Sequence, residues 1–248
     1  MPLGGNFVSE FGLPHGQLGW GVRKSERVRR VYEALYDEKD LVVGMDNIFF
    51  NNEAPPQADD KNRTTTMWPH ADLNNKLPSG QWRVYQSVVY IWSCDLNSSC
   101  TVVWPGSHLT VFPELMKVPH GNGHFCRCPE SWNPQFVQHA RRIPVPAGGM
   151  LVWDSRTIHQ GWPLGRRLAV PVCFEPCERR GAEALVRKEQ CVVDGIATTH
   201  WASLGVRGGS ETFHHGIVLA GGVALKHCAH KHCVDLYGDV NPDILKLL

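Results

Sequence analysis

The sequence predicts a mainly β protein, a barrel or jelly roll with flanking α-helices. Short runs dense in Val, Ile, Tyr and Trp recur through the middle of the chain, the densest from Arg83 to Trp92. Turn-forming groups interrupt them at irregular intervals: Pro105-Gly106, Pro146-Ala-Gly-Gly149 and Trp162-Pro-Leu-Gly165. The runs are joined by turns and one long loop, which suits a closed or double-layered antiparallel sheet better than a parallel α/β sheet.

Taken in order, residues 1–22 are Gly-rich and aperiodic, and are expected to run as an extended arm. A helix is predicted from Ser25, with Ser25 as N-cap and Glu26 in the first turn. Val28, Val31, Tyr32, Leu35 and Tyr36 then follow the spacing of an apolar helical face. Arg27, Arg29 and Arg30 fall mainly off that face and read as a solvated basic surface. Leu41 to Phe50 reads as one strand, and residues 51–66 as a polar loop near the site. Strands follow at Arg83–Trp92 and Thr101–Trp104, the latter stopped by Pro105-Gly106. Residues 112–140 have no sustained period and read as a long excursion out of the sheet. The strand pattern returns at Arg141–Val145, Met150–Trp153 and Leu168–Phe174. Ala182, Leu185, Val186, Glu189 and Val193 suggest a second, amphipathic helix, and beyond Thr198 the signal weakens into Gly-rich segments. With no internal repeat and no linker, one domain is expected: an arm and helix over 1–40, a jelly-roll core over 41–175, and a helical or irregular extension over 176–248.

Bulk composition narrows the function. The 25 Lys and Arg nearly balance the 24 Asp and Glu, so nothing suggests general binding to nucleic acid or an anionic membrane. Nine cysteines, an odd number spread over 248 residues, do not make a disulfide framework. The opening MPLGGNFVSEFGLPHG has neither a basic nor an apolar leader region, and no apolar run is long enough to span a bilayer. The expectation is a cytoplasmic protein in a reducing compartment, with most cysteines acting as small buried hydrophobes. Oligomeric state is left open.

The chemistry is carried by Trp68-Pro69-His70-Ala71-Asp72. On extended backbone His70 and Asp72 leave on one face, being two residues apart. An imidazole and a carboxylate so placed are two thirds of a facial triad, the ligand set that leaves three positions of iron(II) open. The third ligand has to come from a distant strand, and His159 in Leu151-Val-Trp-Asp-Ser-Arg-Thr-Ile-His159 is placed to supply it. An H-x-D alone is common by chance. Its force here comes from the elements that follow it in order: Pro105-Gly-Ser-His108, then Gly148-Gly149 leading into an apolar strand that ends in Asp154 and His159.

That ordered set, from about Leu41 to Phe174, resembles the phytanoyl-CoA dioxygenase-like family of Fe(II)/2-oxoglutarate oxygenases. The resemblance implies a double-stranded β-helix (jelly-roll) core, with iron ligated by His70, Asp72 and His159. It implies 2-oxoglutarate as co-substrate, O₂ as oxidant, succinate and CO₂ as co-products, and a small organic molecule as prime substrate. Asp72 at the carboxylate position favours hydroxylation or another oxygenation over halogenation, for which related enzymes carry a small residue. The co-substrate's far carboxylate needs a cation on the strand after the second histidine, and Arg167 is preferred to its neighbour Arg166.

Further candidates surround these. Gln86 and Tyr85 could hydrogen-bond the co-substrate, against the plainer reading of strand packing, and Arg156 with Asp154 could orient a ligand or substrate, with a supporting or surface salt bridge as the alternative for Arg156. Trp68, Trp92, Trp104 and Trp153 read as core and pocket wall, and His108 as a structural strand end. The Cys/His clusters at 124–128 and 227–233 lack the paired spacing of a structural zinc site. Two other functions fit the same fold: a metal-dependent oxygenase that does not use 2-oxoglutarate, and a non-catalytic jelly-roll binding module.

Overall fold

In the computed structural model, residues 7–8, 12–52, 67–121, 123–206 and 246–247 are described. The strands are β1 (Phe7–Val8), β2 (Leu41–Val43), β3 (Ile48–Asn51), β4 (His70–Ala71), β5 (Tyr85–Tyr90), β6 (Cys100–Val103), β7 (Cys126–Arg127), β8 (Arg141–Arg142), β9 (Met150–Asp154), β10 (His159–Trp162), β11 (Arg167–Val172) and β12 (Phe174–Pro176). The helices are α1 (Gln17–Arg23), α2 (Glu26–Tyr36), α3 (Ser107–Thr110), α4 (Phe112–Leu115), α5 (Asn133–His139) and α6 (Ala182–Asp194). The protein is thus mainly β, with antiparallel sheets and flanking helices, and its fold is a jelly roll.

The chain divides into two compact units. The first comprises residues 51–86 and 90–168. Its sheet has the order β7-β4-β10-β6-β8, and β9 pairs with the two ends of β5. The pairing is flanked by Ser155 N–H to Val84 O at 2.9 Å and by Tyr90 N–H to Gly149 O at 2.9 Å. In the sheet, the longest register pairs β10 with β6, matching His159 to Val103 and Trp162 to Cys100. The apolar side chains of Ala71, Val102 and Val103 are buried there, and water is excluded from the strands that carry the histidines.

The second unit comprises residues 7–50, 87–89 and 169 onward. It holds the strand order β1-β3-β11-β5 and the antiparallel pair β2–β12. The predicted helix is α2, and its buried Val28 and Tyr32 lie one turn apart on the expected face. Tyr32 is fully buried and donates its hydroxyl to Val172 O at 2.7 Å. Ser25 occupies the N-cap position with extended backbone, but its hydroxyl makes no capping bond.

Four expectations are corrected. Residues 1–22 are not simply an extended arm, because Gln17–Arg23 forms α1. Gly19 and Gly21 weaken the helical signal, yet the helix is held by Arg23, whose guanidinium donates to Pro14 O and, at 2.6 Å, to Asp46 O. Leu41–Phe50 is two strands. The break between them is fixed from outside the segment, by Gly44 N–H to Cys173 O at 2.8 Å and Met45 N–H to Thr198 Oγ1 at 2.8 Å. The 112–140 excursion contains α4, β7 and α5, and β7 returns to the sheet beside β4. The strand expected to end in Asp154 and His159 stops at Asp154, and His159 opens a separate strand, β10. The expected loop at 53–66 and the Cys/His cluster at 227–233 lie outside the described residues. Among the described residues, no helix is long and apolar enough to cross a membrane.

Candidate metal centre

The cluster is built by strand register. β4 and β10 are antiparallel neighbours, with His70 directly opposite His159. Two residues paired across a ladder project to the same face, so the register itself brings together two imidazoles that are 89 positions apart by numbering. Asp72 follows one pleat later, and its N–H donates to Ser155 O at 3.1 Å, which pins the turn after β4 to the end of β9.

Around the pair, backbone and polar side chains fix the rings. The Pro-Gly-Ser-His segment has a specific part in this. Gly106 takes φ 76°, a left-handed value that glycine adopts without cost. The turn then presents the buried Ser107, whose Oγ accepts the N–H of Ile158 at 2.8 Å. Trp104 N–H donates to Ile158 O at 2.8 Å, so both polar groups of the residue before His159 are held. Gln160, also buried, accepts the N–H of Trp68 at 3.1 Å and ties β10 to the approach to His70.

Both imidazoles are oriented alike. His70 Nδ1 lies 3.0 Å from Trp68 O, and His159 Nδ1 lies 3.0 Å from Thr157 O. A carbonyl can only accept, so each Nδ1 carries a proton, and Nε2 is the ring atom left to face the cluster. The two Nε2 atoms converge on Asp72: His70 Nε2 is 3.4 Å from Oδ1 and His159 Nε2 is 3.3 Å from Oδ2. Burial lowers the basicity of His159, and the adjacent His70 lowers it further, against the pull of Asp72. Both effects favour the neutral form of its imidazole, the form that can ligate a metal.

The donor set fits a divalent metal ion. One ligand atom from each of His70, Asp72 and His159 lies within 4.8 Å of the others, and this is the only such group of three or more among the described residues. At metal–ligand distances of about 2.1 Å, adjacent ligand atoms sit about 3 Å apart, close to the separations observed. Two imidazoles and one carboxylate are the facial set of non-haem iron sites. Trp68 stacks on His70 with ring centres 4.2 Å apart, and Trp153 tilts against His159 at 5.2 Å. Phe125 meets His70 edge-on at 6.0 Å and is half-exposed.

The remaining candidates fall into place around this centre. Gln86 is buried and donates Nε2–H to Asp72 Oδ2 at 3.0 Å. Tyr85, its half-buried neighbour, opens β5. Arg156 is engaged with Asp154, through Nε–Oδ1 at 2.8 Å and Nη2–Oδ2 at 2.5 Å. Burial alone would raise the Asp154 carboxyl, but the Arg156 hydrogen bonds prevail and hold it below the usual range. Arg166 is exposed and lies over the Trp92 ring at 4.6 Å. Arg167 is buried, and its Nη2 donates to Tyr90 Oη and Thr101 Oγ1, both at 3.2 Å. His108 lies in α3, and Trp104 stacks on His139 at 5.3 Å. Cys126 and Cys128 are buried.

Sequence reasoning missed Tyr90 and Thr101. Both are hydroxyl residues within apolar strands, and a buried hydroxyl needs a partner; that was the available signal.

A jelly roll that brings two histidines and an aspartate together from adjacent strands carries the ligand set typical of non-haem iron sites. The chain belongs to the phytanoyl-CoA dioxygenase family, a family of iron- and 2-oxoglutarate-dependent oxygenases, whose model matches residues 11–164. Among solved structures, a hypothetical protein from Escherichia coli crystallised at high pH has a similar fold, with TM-score 0.53 and 16% identity over 87% of this chain and 68% of that one. The epimerase SnoN, solved with Fe3+, alpha ketoglutarate and nogalamycin RO, has TM-score 0.45 and 17% identity over 69% of this chain and 63% of its own. EvdMO1 has TM-score 0.39 and 16% identity over 63% of this chain. The chain spans 63% of SnoN and 32% of EvdMO1. No curated protein matches it.

Proposed function

We propose that the protein is an Fe(II)- and 2-oxoglutarate-dependent dioxygenase that hydroxylates or otherwise oxidises a small organic molecule. The observation that carries this reading is the convergence of His70 Nε2, His159 Nε2 and the Asp72 carboxylate within 4.8 Å, with both imidazole Nδ1 atoms already committed to backbone carbonyls. His70, Asp72 and His159 would hold the iron. Bound iron(II) and 2-oxoglutarate together supply the activation of O₂, with succinate and CO₂ as co-products.

The chain's own residues then have separable tasks. Arg167 recognises the far carboxylate of 2-oxoglutarate. Its guanidinium offers a planar fork matched to a carboxylate, and Tyr90 Oη and Thr101 Oγ1 beside it add two hydroxyls to that position. Arg166 is less suited, being exposed and engaged on Trp92. Arg156 is occupied by Asp154, which favours a role in shaping the 154–156 turn over direct contact with the co-substrate. Trp68 and Trp153 cover imidazole faces and exclude water from them.

The test is succinate formation from 2-oxoglutarate by anaerobically purified protein given Fe(II) and then air, beside His70→Ala. Slow turnover without prime substrate, lost in the variant, is the expected result. Absence of turnover together with absence of 2-oxoglutarate binding by calorimetry would overturn the reading.

A further inference from the structure

The Asp72 carboxylate meets both imidazoles and the buried Gln86. Oδ1 lies 3.4 Å from His70 Nε2 and Oδ2 lies 3.3 Å from His159 Nε2, so the carboxylate straddles the ligand cluster with one oxygen beside each imidazole. From that position both oxygens could chelate a single ion. Oδ2, however, also accepts the Gln86 amide at 3.0 Å. Gln86 is 4% exposed, and its strand is tied to Asp72 through one residue. Ser155 N–H donates to Val84 O at 2.9 Å, and Ser155 O accepts the N–H of Asp72 at 3.1 Å. The donor is thus built into the sheet rather than reaching in from a loop.

A six-coordinate ion held by two imidazoles and one carboxylate oxygen would keep three positions open. Bound 2-oxoglutarate would take two of them through its carboxylate and keto oxygens and leave one for O₂. Were Asp72 to chelate with both oxygens, the last position would be filled by the protein itself. We propose that Gln86 is a positioning residue that engages Oδ2 of Asp72, so that the aspartate presents a single oxygen to the metal and a place for O₂ is preserved. This rests on the iron assignment made above, and it gives Gln86 a different role from contact with the co-substrate.

Nitric oxide serves as the probe, since it occupies the O₂ position of iron(II) and gives an electron paramagnetic resonance signal without turnover. The full-length protein, Gln86→Leu and the near-isosteric Gln86→Glu are loaded anaerobically with Fe(II) and 2-oxoglutarate, exposed to nitric oxide, and the signal is expressed per bound iron. The wild-type protein should give a full signal, and both variants one reduced at least about tenfold, in line with the usual effect of removing a partner that orients a metal ligand. Expressing the signal per iron separates loss of the open position from a fall in metal affinity. In turnover the same variants should lower kcat for 2-oxoglutarate consumption while KM for 2-oxoglutarate stays within about threefold, less than the effect of losing an orienting partner. Signals per iron equal to wild type in both variants would overturn the proposal and leave the iron assignment standing. A raised KM for 2-oxoglutarate with an undiminished signal would likewise overturn it, placing Gln86 on the co-substrate. Failure of the wild-type protein to bind Fe(II) at all would overturn the iron assignment and this proposal together.

Discussion

His70 and His159 face each other across the β4–β10 ladder with ring centres 4.4 Å apart. Nothing in the apolar packing of the sheet requires two imidazoles there. Each has its Nδ1 proton donated to a carbonyl two residues earlier, so the rings are held apart in orientation as well as in place. A divalent ion that binds this arrangement and not the unfolded chain should stabilise the fold, by about 2.7 kcal/mol at a hundredfold excess over Kd. Thermal melts with Fe(II) under argon, or with Co(II), should therefore show a concentration-dependent rise in Tm. His70→Ala should remove it. An equal rise in the variant would place the ion elsewhere.

Arg167 supports a second prediction. Its buried guanidinium sits 5.2 Å over the Tyr90 ring, and one nitrogen donates to Tyr90 Oη and Thr101 Oγ1. Lysine lacks the planar fork, so Arg167→Lys should raise KM for 2-oxoglutarate by at least about tenfold, the equivalent of 1.4 kcal/mol. Metal affinity should be unchanged. Thr101→Val should raise KM severalfold in the same direction. Arg166→Ala is the control, and KM changes of equal size in Arg166→Ala and Arg167→Lys would remove Arg167 from its assigned role.

The strands were legible where apolar density was high. Arg83–Trp92 enclosed β5, and the apolar run before Asp154 was β9. The helix α2 was legible because its buried Val28 and Tyr32 repeat one turn apart. What the sequence hid was set by contacts distant along the chain. The break after Val43 depends on Cys173 and Thr198, and β7 is only two residues long, recognisable by its pairing with β4 rather than by pattern. For the metal cluster, the H-x-D spacing predicted a shared face, but the register of His70 with His159 is a tertiary fact. Gln86 was visible as a polar residue in an apolar strand. Its engagement with Asp72 was not, because β5 and β4 are separate elements whose approach no local pattern encodes.

The second unit contains a lysine that should make stability depend on pH. Lys188 in α6 is fully buried, and burial, reinforced by Arg180, lowers its pKa to about 7. In the unfolded chain a lysine titrates near ~10.4. Below pH 7 the amine is protonated in both states. Above it the folded state releases its proton while the unfolded state keeps it, so the unfolded state binds more protons and stability rises with pH, by at most about 1.4 kcal/mol per pH unit. The rise is opposed above pH ~8.5. There the unfolded cysteines ionise, whereas burial holds folded Cys126 up to about 11, Cys128 up to about 12 and Cys173 higher still. Urea unfolding should show stability increasing from pH 7 to about 8.5 and declining beyond it. In Lys188→Met the increase should vanish while the decline remains. A rise retained in that variant would assign it to another group.

Gly165 links the two halves of the proposed site and gives the last prediction. It lies in the segment between β10, which begins with His159, and β11, which begins with Arg167. Its φ of 89° is one that side-chain-bearing residues rarely adopt, and a Cβ built there would lie within 2.4 Å of Asn97 O and 3.0 Å of Ser98 Cα. Both close atoms are backbone, so no side-chain rotation relieves the contact. Gly165→Ala therefore combines a backbone penalty of about 1–3 kcal/mol with a displacement of the chain. The displaced segment carries Arg167 on its short arm, eight residues from His159 by numbering. Besides a lower Tm, the variant should bind 2-oxoglutarate more weakly while binding metal normally, because the β4–β10 register that sets His70 against His159 lies before the turn. Calorimetry with each ligand in turn separates the two effects. Equal weakening of metal and 2-oxoglutarate binding would mean that the turn supports the whole sheet rather than the position of Arg167.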